Sequence, residues 1–278
     1  MADETGQSAG VTQVGGADAP VLVQERAGIV TLTLNRPDRR NALDPGLAGA
    51  LVAAVDAAAA DPGVRVVVIT GAGRAFCAGA KLDALLGASE RGDVDGVRAS
   101  FGVVEQVYRS LLAVSKPLIA AVNGPALAGG AGIVSACDFA IGSEDASLGY
   151  PEILLGLTPG MVMTLLVRQA GLRVALDLSL TGRRVGAEEA VRLGLLNEVV
   201  PADRFQARID DLAGQLAALS PGALAATKRW AWTLAESDRL LAQGRDLSTL
   251  LALSDDARAG MRAFFDRSAR SARDAGTR

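Results

Sequence analysis

The chain of 278 residues contains no histidine. This absence removes Ser-His and Cys-His nucleophile pairs, the zinc-protease motifs and every histidine general base. Proton transfer must therefore run through carboxylates, backbone N–H groups, lysine, tyrosine or a bound ligand. Aromatic residues make up only 4% of the sequence, too few to suggest stacking on nucleobases. Basic residues are in slight deficit, 28 against 31 acidic, and form no stripe, so nucleic acid is not an expected partner. The cysteines, Cys77 and Cys137, sit in apolar stretches outside any metal-ligand spacing, which reads as two free thiols in a reducing compartment. Nothing calls for a metal, and no flavin or nicotinamide signature is present. No apolar run approaches the ~20 residues that span a bilayer. Residues 1–19 are polar and glycine-rich, read as a disordered leader with no secretory signal. A soluble, cytoplasmic protein with no membrane partner is expected.

Half of the residues are hydrophobic, enough for one sizeable core. The most informative stretch runs from Lys116 to Gly160. It opens on a continuous apolar run, 117–122, as a strand buried on both faces requires. Asn123-Gly124-Pro125 breaks the run. Gly129, Gly130 and Gly132 follow, just before the apolar residues 133–137. A strand, a glycine-rich turn and a helix start leave backbone N–H groups uncovered by side chains, a setting that suits a developing anion. Beyond it lies Glu152, a lone carboxylate between Pro151 and Ile153-Leu154-Leu155. Together, N–H donors and a carboxylate in apolar surroundings can hold an enolate and move a proton.

Along the chain, residues 21–24 and 29–34 read as strands around a 25–28 turn, with Val30, Leu32 and Leu34 on the core face. Asp44-Pro45 marks a helix start, cap followed by first-turn proline, for an alanine-rich helix running to about residue 60. Residues 64–70 form another buried strand running into Gly71–Asp83, a second glycine-rich turn, and 95–114 is a long helix. Residues 85–100 and 160–166 are taken as pocket-shaping loops. After residue 160 come helical stretches at 161–170, 173–180 and 187–193, then a short strand at 195–200. From Pro201 the chain is helical, in segments 201–218, 222–237, 238–252 and 255–267, with 268–278 frayed. The architecture is α/β: ββα units with their turns gathered at one edge, in 20–200, and a helical region in 201–278. Neither glycine-rich turn fits a dinucleotide or phosphate-loop spacing, and each taken alone is better explained by structure than by function.

Five segments in order carry a resemblance: LNRPDRRNAL (34–43), ITGAGRAFCAGAKL (69–82), KPLIAAVNGPALAGG (116–130), CDFAIGSEDASLGYPEILLGLTPG (137–160) and LTGRRVGAEEAVRLGLLNEVV (180–200). The chain resembles the crotonase (enoyl-CoA hydratase/isomerase) superfamily from about residue 21 to 267. The resemblance implies a crotonase-like spiral of ββα repeats, with the helical C-terminal region at the interface of a homotrimer or dimer of trimers. It implies an acyl-CoA thioester as substrate, with coenzyme A part of that substrate and no separate cofactor. By motif position, the backbone N–H groups of Ala80 and Gly129 hold the thioester oxygen as it becomes an enolate. Ala42, Ala78, Lys81 and Leu82 match positions near the CoA moiety, and Gly132 and Pro151 are further candidate substrate-binding positions. Lys81 departs from the family's usual aspartate; it either favours the CoA phosphates or faces solvent.

The family's hydratases use two glutamates. The first position is occupied here by Gly132, and the second by Glu152. One carboxylate suffices to carry a proton between two carbons of an enolate, so 3-enoyl-CoA to 2-enoyl-CoA isomerisation is the expected reaction. Hydration of a 2-enoyl-CoA and non-catalytic acyl-CoA binding are the alternatives, and Glu152 as a structural acid is the bland one. On this reading, Ile153 and Leu154 bury Glu152 and raise its pKa. Gly132 leaves room for a bulkier acyl group or a substrate carboxylate, and Glu105 is the candidate to replace the missing acid. Asp138 is expected to be structural and Glu144 to lie in a solvated turn. Tyr150 either orients a water or acyl group or satisfies a single buried hydrogen bond.

Overall fold

Ala27 and Gly28 both have positive φ, 51° and 75°, the requirement of a two-residue hairpin whose twist matches its strands. They join β2 (Val21–Arg26) to β3 (Ile29–Leu34), and β1 (Thr12–Val14) pairs antiparallel on the outer edge of β2. The computed structural model describes residues 12–14, 16–235 and 237–275. Of the expected disordered leader, residues 1–11 and 15 lie outside the described residues. The remainder corrects the expectation: β1 is a paired strand, and the Asn35 amide donates to the carbonyls of Ala17 and Ala19, tying that segment down.

After β3, α1 (Pro45–Ala60) starts where expected, because the Asp44 carboxylate accepts from Leu47 N–H at 2.8 Å and Pro45 occupies the first turn. Then follow β4 (Val66–Gly71), α2 (Leu82–Glu90), α3 (Val94–Ala113), β5 (Leu118–Val122), β6 (Pro125–Leu127), α4 (Gly129–Ala136), β7 (Phe139–Ser143) and β8 (Ser147–Gly149). A 3-10 turn, Pro151–Leu155, leads to α5 (Gly160–Thr181), which kinks at Gly171 (φ 78°). The chain closes with β9 (Arg184–Gly186), α6 (Ala187–Arg192), β10 (Glu198–Val200), α7 (Ala202–Ala217), α8 (Pro221–Ala235), α9 (Ser237–Ala252) and α10 (Asp255–Ala275).

The main sheet has the order β1-β2-β3-β4-β5-β7-β10, parallel from β3 onward, and β6-β8-β9 form a second, small sheet. In the pairs β5/β6 and β7/β8 the first strand joins the large sheet and the second the small one, and in β9/β10 the order is reversed, so the chain passes repeatedly between the two sheets as it winds. Both faces of the parallel strands are covered, as their continuous apolar sequences require. Val67, Ile69, Leu118 and Ala120 face the main core, while Val66, Val68, Ile119, Ala121 and Ile141 pack against Ile209, Ala213 and Leu216 of α7.

Three expectations are corrected. Residues 85–100 are mostly helix, in α2 and the start of α3, and 160–166 are the first turns of α5. Between α2 and α3 only Arg91-Gly92-Asp93 breaks the helix. The tail also does not fray at residue 268; helix continues through Ala275.

The last two helices fold back on the same chain. Helix α9 lies on α3 and α5, and Gly160 and Gly244 meet there backbone to backbone; a Cβ on Gly244 would stand 2.6 Å from the Gly160 carbonyl carbon. Helix α10 packs Ala257 and Met261 into a cluster with Leu85, Ala88, Val97 and Leu157, and braces the 151–155 turn. Among the described residues no helix is long and apolar enough to cross a membrane.

Candidate active site

The loop after β4 is held by two asparagines. Asn41, fully buried, donates to the carbonyls of Ala72, Ala75 and Phe76 at 2.9–3.2 Å and accepts from Arg36 N–H at 2.8 Å. Asn123 accepts from Gly71 N–H at 3.1 Å and donates to Gly73 O at 3.0 Å. So clamped, the loop passes beside Leu43 in an isolated bridge: Leu43 N–H donates to Gly79 O at 2.8 Å, and Lys81 N–H donates to Leu43 O at 2.9 Å. This ladder uses the peptides on either side of Ala80 and leaves Ala80 N–H without an acceptor among the described residues.

The second loop follows β6. Ala128 sits at φ 49°, ψ −120°, a conformation that side-chain-bearing residues rarely adopt and that costs ~1–3 kcal/mol. It is held by its N–H donating to Gly149 O at 2.9 Å and by its carbonyl accepting from Gly132 N–H at 3.1 Å. The strain turns the chain directly into α4, so Gly129 N–H emerges at the helix N-terminus, the positive end of its dipole, with no acceptor among the described residues. The two loops touch. A Cβ built on Gly129 would lie 3.5 Å from Ala80 N, and one on Gly79 (φ 91°) would lie 3.2 Å from Gly129 N. Side chains there would cover the space in front of both N–H groups, which is why glycine and alanine occupy it. Two donors without acceptors among the described residues thus lie close together, an arrangement suited to stabilising an oxyanion.

Glu152 projects from the 3-10 turn. That turn closes with Gly156 at φ 72° and with Leu157 N–H donating to Glu152 O at 3.0 Å. The residue as a whole is partly accessible, but its Oε2 is sealed from solvent and has no hydrogen-bond partner among the described residues. Burial pushes its pKa up to about 7, against a smaller lowering by its own backbone N–H. The hydroxyls of Tyr150 and Ser135, also buried, are likewise without a hydrogen-bond partner among the described residues. Burial pushes the Tyr150 phenol up; a hydroxyl of Ser135 nearby pulls it partly back, and the Glu152 charge adds to the rise.

Several expected roles change. The space beside Gly132 is already filled: a Cβ there would overlap the hydroxyl and Cζ of Tyr108 and stand 2.9 Å from its Cε1, so no room remains for a bulkier acyl group or substrate carboxylate. Glu105 is not a spare acid. Arg109 binds one of its oxygens at 2.8 Å and Arg245 of α9 binds the other at 2.6 Å, so it fastens α3 to the C-terminal helices. Ile153 and Leu154, expected to bury Glu152, are themselves exposed and lie partly against Gly182. Asp138 is structural as expected, holding Leu118 N–H, Trp232 Nε1 and Lys228 Nζ, and Glu144 lies in an exposed turn. Ala42, Ala78 and Ala80 are half-buried along the rim of the loop pair, and Pro151 is half-buried beside Glu152. Lys81 is exposed at the start of α2, 3.7 Å from the Asp83 carboxylate, while Leu82 packs on the cluster beneath α10.

Sequence reasoning missed Tyr108, Ala128 and Asn41. A hint was available for the first: the chain has two tyrosines, and both are fully buried at this site. Ala128 gave none, since its strain is visible only in φ and ψ.

Comparison with known proteins agrees with this geometry. The family model described as enoyl-CoA hydratase/isomerase matches residues 24–271. The 2,3-dehydroadipyl-CoA hydratase of Escherichia coli K12 is 38% identical, over 89% of this chain and 96% of that protein. The crotonyl-CoA hydratase of Syntrophomonas wolfei is 34% identical, over 89% and 95% respectively. Among solved structures, an enoyl-CoA hydratase/isomerase from Xanthobacter autotrophicus Py2 superposes with a TM-score of 0.81 at 35% identity, over 92% of this chain and 97% of that one.

Proposed function

The chain belongs to the enoyl-CoA hydratase/isomerase family, and from that premise we propose that it moves the double bond of an acyl-CoA thioester from C3 to C2, with Glu152 as the only carboxylate carrying the proton. The observation that carries this reading is the state of Glu152: its Oε2 is buried without a hydrogen-bond partner among the described residues, and burial, with no contribution from the charge of another acid, pushes its pKa up to about 7. The Glu152 carboxylate removes a C2 proton from the 3-enoyl thioester. The C2–H electrons and the C3=C4 bond then delocalise onto the thioester oxygen as a dienolate. Ala80 N–H and Gly129 N–H hold that oxygen. The proton on Glu152 is returned to C4, leaving the double bond at C2=C3, and the carboxylate is regenerated. One pre-aimed donor is typically worth ~3 kcal/mol of barrier. Nothing beyond the substrate's own coenzyme A is required.

Ala42, Ala78 and the start of α2 at Leu82 are the CoA rim in this reading, with Lys81 available to the phosphates. A pure binder has no chemical use for a buried, unpaired acid, which argues against the non-catalytic alternative. Hydration is the second reading, favoured by the names of the relatives. Wild-type enzyme offered 3-hexenoyl-CoA and crotonyl-CoA separately should isomerise the first at least about a hundredfold faster than it hydrates the second. Hydration at a comparable rate would replace the proposed reaction with the second reading.

Leu172, Leu176 and Leu180 form an exposed stripe on α5, and Trp230, Leu234, Leu247 and Leu250 are exposed on the C-terminal helices. Such faces are costly in water and fit the homotrimer or dimer of trimers expected for residues 201–278. Two buried free thiols fit a cytoplasmic setting.

A further inference from the structure

Tyr108 fills the gap that the sequence leaves at residue 132, and we propose that it fixes this site in its one-carboxylate form. Its ring takes the volume that a side chain at 132 needs, and its hydroxyl positions the oxyanion-hole segment through the Gly129 carbonyl. The inference rests on the isomerase reading for what the segment does, and on geometry alone for what Tyr108 occupies.

Two observations carry it. Tyr108 projects from α3, fully buried, and donates its hydroxyl to Gly129 O at 2.9 Å, so one side chain ties α3 to the first residue of α4. The same oxygen stands where Cβ of residue 132 would be, so a tyrosine at 108 and a side chain at 132 exclude each other. A buried tyrosine often satisfies just one hydrogen bond and does nothing more. Here the acceptor is the carbonyl of the glycine whose N–H faces the substrate, and the displaced side chain is at the position of the missing acid.

Tyr108 does not replace that acid chemically. Its proton is committed to Gly129 O. Burial, and after it the charge of Glu152, push the phenol far above its ordinary pKa, so it stays neutral. It can neither deprotonate water nor deliver a proton to C4. It is a positioning residue and a steric block.

The test is a set of four variants: Tyr108→Phe, Gly132→Ala, Tyr108→Leu and the double variant Tyr108→Leu/Gly132→Ala. Tyr108→Phe keeps the ring and loses the bond to Gly129 O. Its kcat for 3-hexenoyl-CoA should fall about tenfold with KM within about twofold, the pattern of an interaction that matters in the transition state. Unchanged kcat would overturn the positioning role. Gly132→Ala should lower Tm by about 5 °C in the wild-type background, yet leave it unchanged or raise it beside Tyr108→Leu, where the helix gains from alanine. Equal effects in both backgrounds would overturn the steric claim. Should the wild type show no isomerisation at all, the functional reading fails by itself, and the melting cycle still decides whether Tyr108 owns the space at 132.

Discussion

Glu152→Gln should reduce kcat for isomerisation by about 10³-fold while KM changes by no more than about threefold, because general-base catalysis supplies roughly that factor and binding uses other groups. Glutamine keeps the shape of the side chain and removes its ability to hold a proton. The pH dependence sharpens the expectation. The base acts as a carboxylate, so kcat/KM should rise with pH, reach half its maximum near the Glu152 pKa of about 7, and level off above it. Stability should run the other way. The folded-state pKa lies above the unfolded value, so the folded protein binds this proton more tightly. That contribution is complete below about pH 4.5 and is lost as pH rises through about 7. At pH 8 the variant should therefore be more stable than wild type, by up to ~3 kcal/mol if the whole shift is realised. Denaturant unfolding of both proteins at pH 6 and pH 8 measures it; a variant that is inactive and also destabilised at pH 8 would mark Glu152 as a structural acid.

The second large effect is expected from a single methyl group. A Cβ on Gly130 would overlap the carbonyl oxygen of Cys77 and lie 2.8 Å from Cys77 Cβ. That carbonyl accepts from Leu127 N–H at 2.9 Å and belongs to the loop that presents Ala80 three residues later. Backbone atoms cannot swing away, so Gly130→Ala must push α4 from the loop and separate the two N–H donors. A misplacement of about 1 Å in a catalytic constellation costs ~10²-fold, and overpacking of this kind costs ~1–3 kcal/mol. Gly214→Ala serves as the control. It lies mid-helix in α7 with nothing within 4 Å of the added methyl, and should stabilise by ~0.5–1 kcal/mol with kcat unchanged. Thermal melts and initial rates on both variants separate the contact from the substitution. Equal behaviour would mean the loops are not in register as described.

Elements with a local cause were legible in the sequence. Asp44-Pro45 announces α1 because cap and first-turn proline act within four residues. The apolar runs of β4 and β5 announce strands buried on both faces, and their glycine-rich exits announce loops that meet. The three-residue strands β6, β8 and β9 were not legible, because three residues carry no period and their pairing is set by the spiral around them. The site followed the same division. Glu152 could be placed from its motif, but its burial could not: the neighbouring Ile153 and Leu154 are exposed, so apolar neighbours in sequence do not by themselves predict which group the fold covers. Glu105 looked available because its two arginines are 4 and 140 residues away, and only the fold brings the second one in. Gly132 looked like an opening for the same reason. Its occupant sits one helix earlier, and a glycine in sequence does not say what fills the space it leaves.

The central claim is that one carboxylate, shielded from water, carries one proton between two carbons. Its most direct test uses 3-hexenoyl-CoA deuterated at C2, turned over in ordinary water, with the product's C4 examined by NMR and mass spectrometry. A sealed Glu152 that takes the C2 deuteron and returns it should leave deuterium at C4 in a substantial fraction of early product. Product formed at full rate with only solvent hydrogen at C4 would contradict the account, because the proton would then have arrived from a second group or from water.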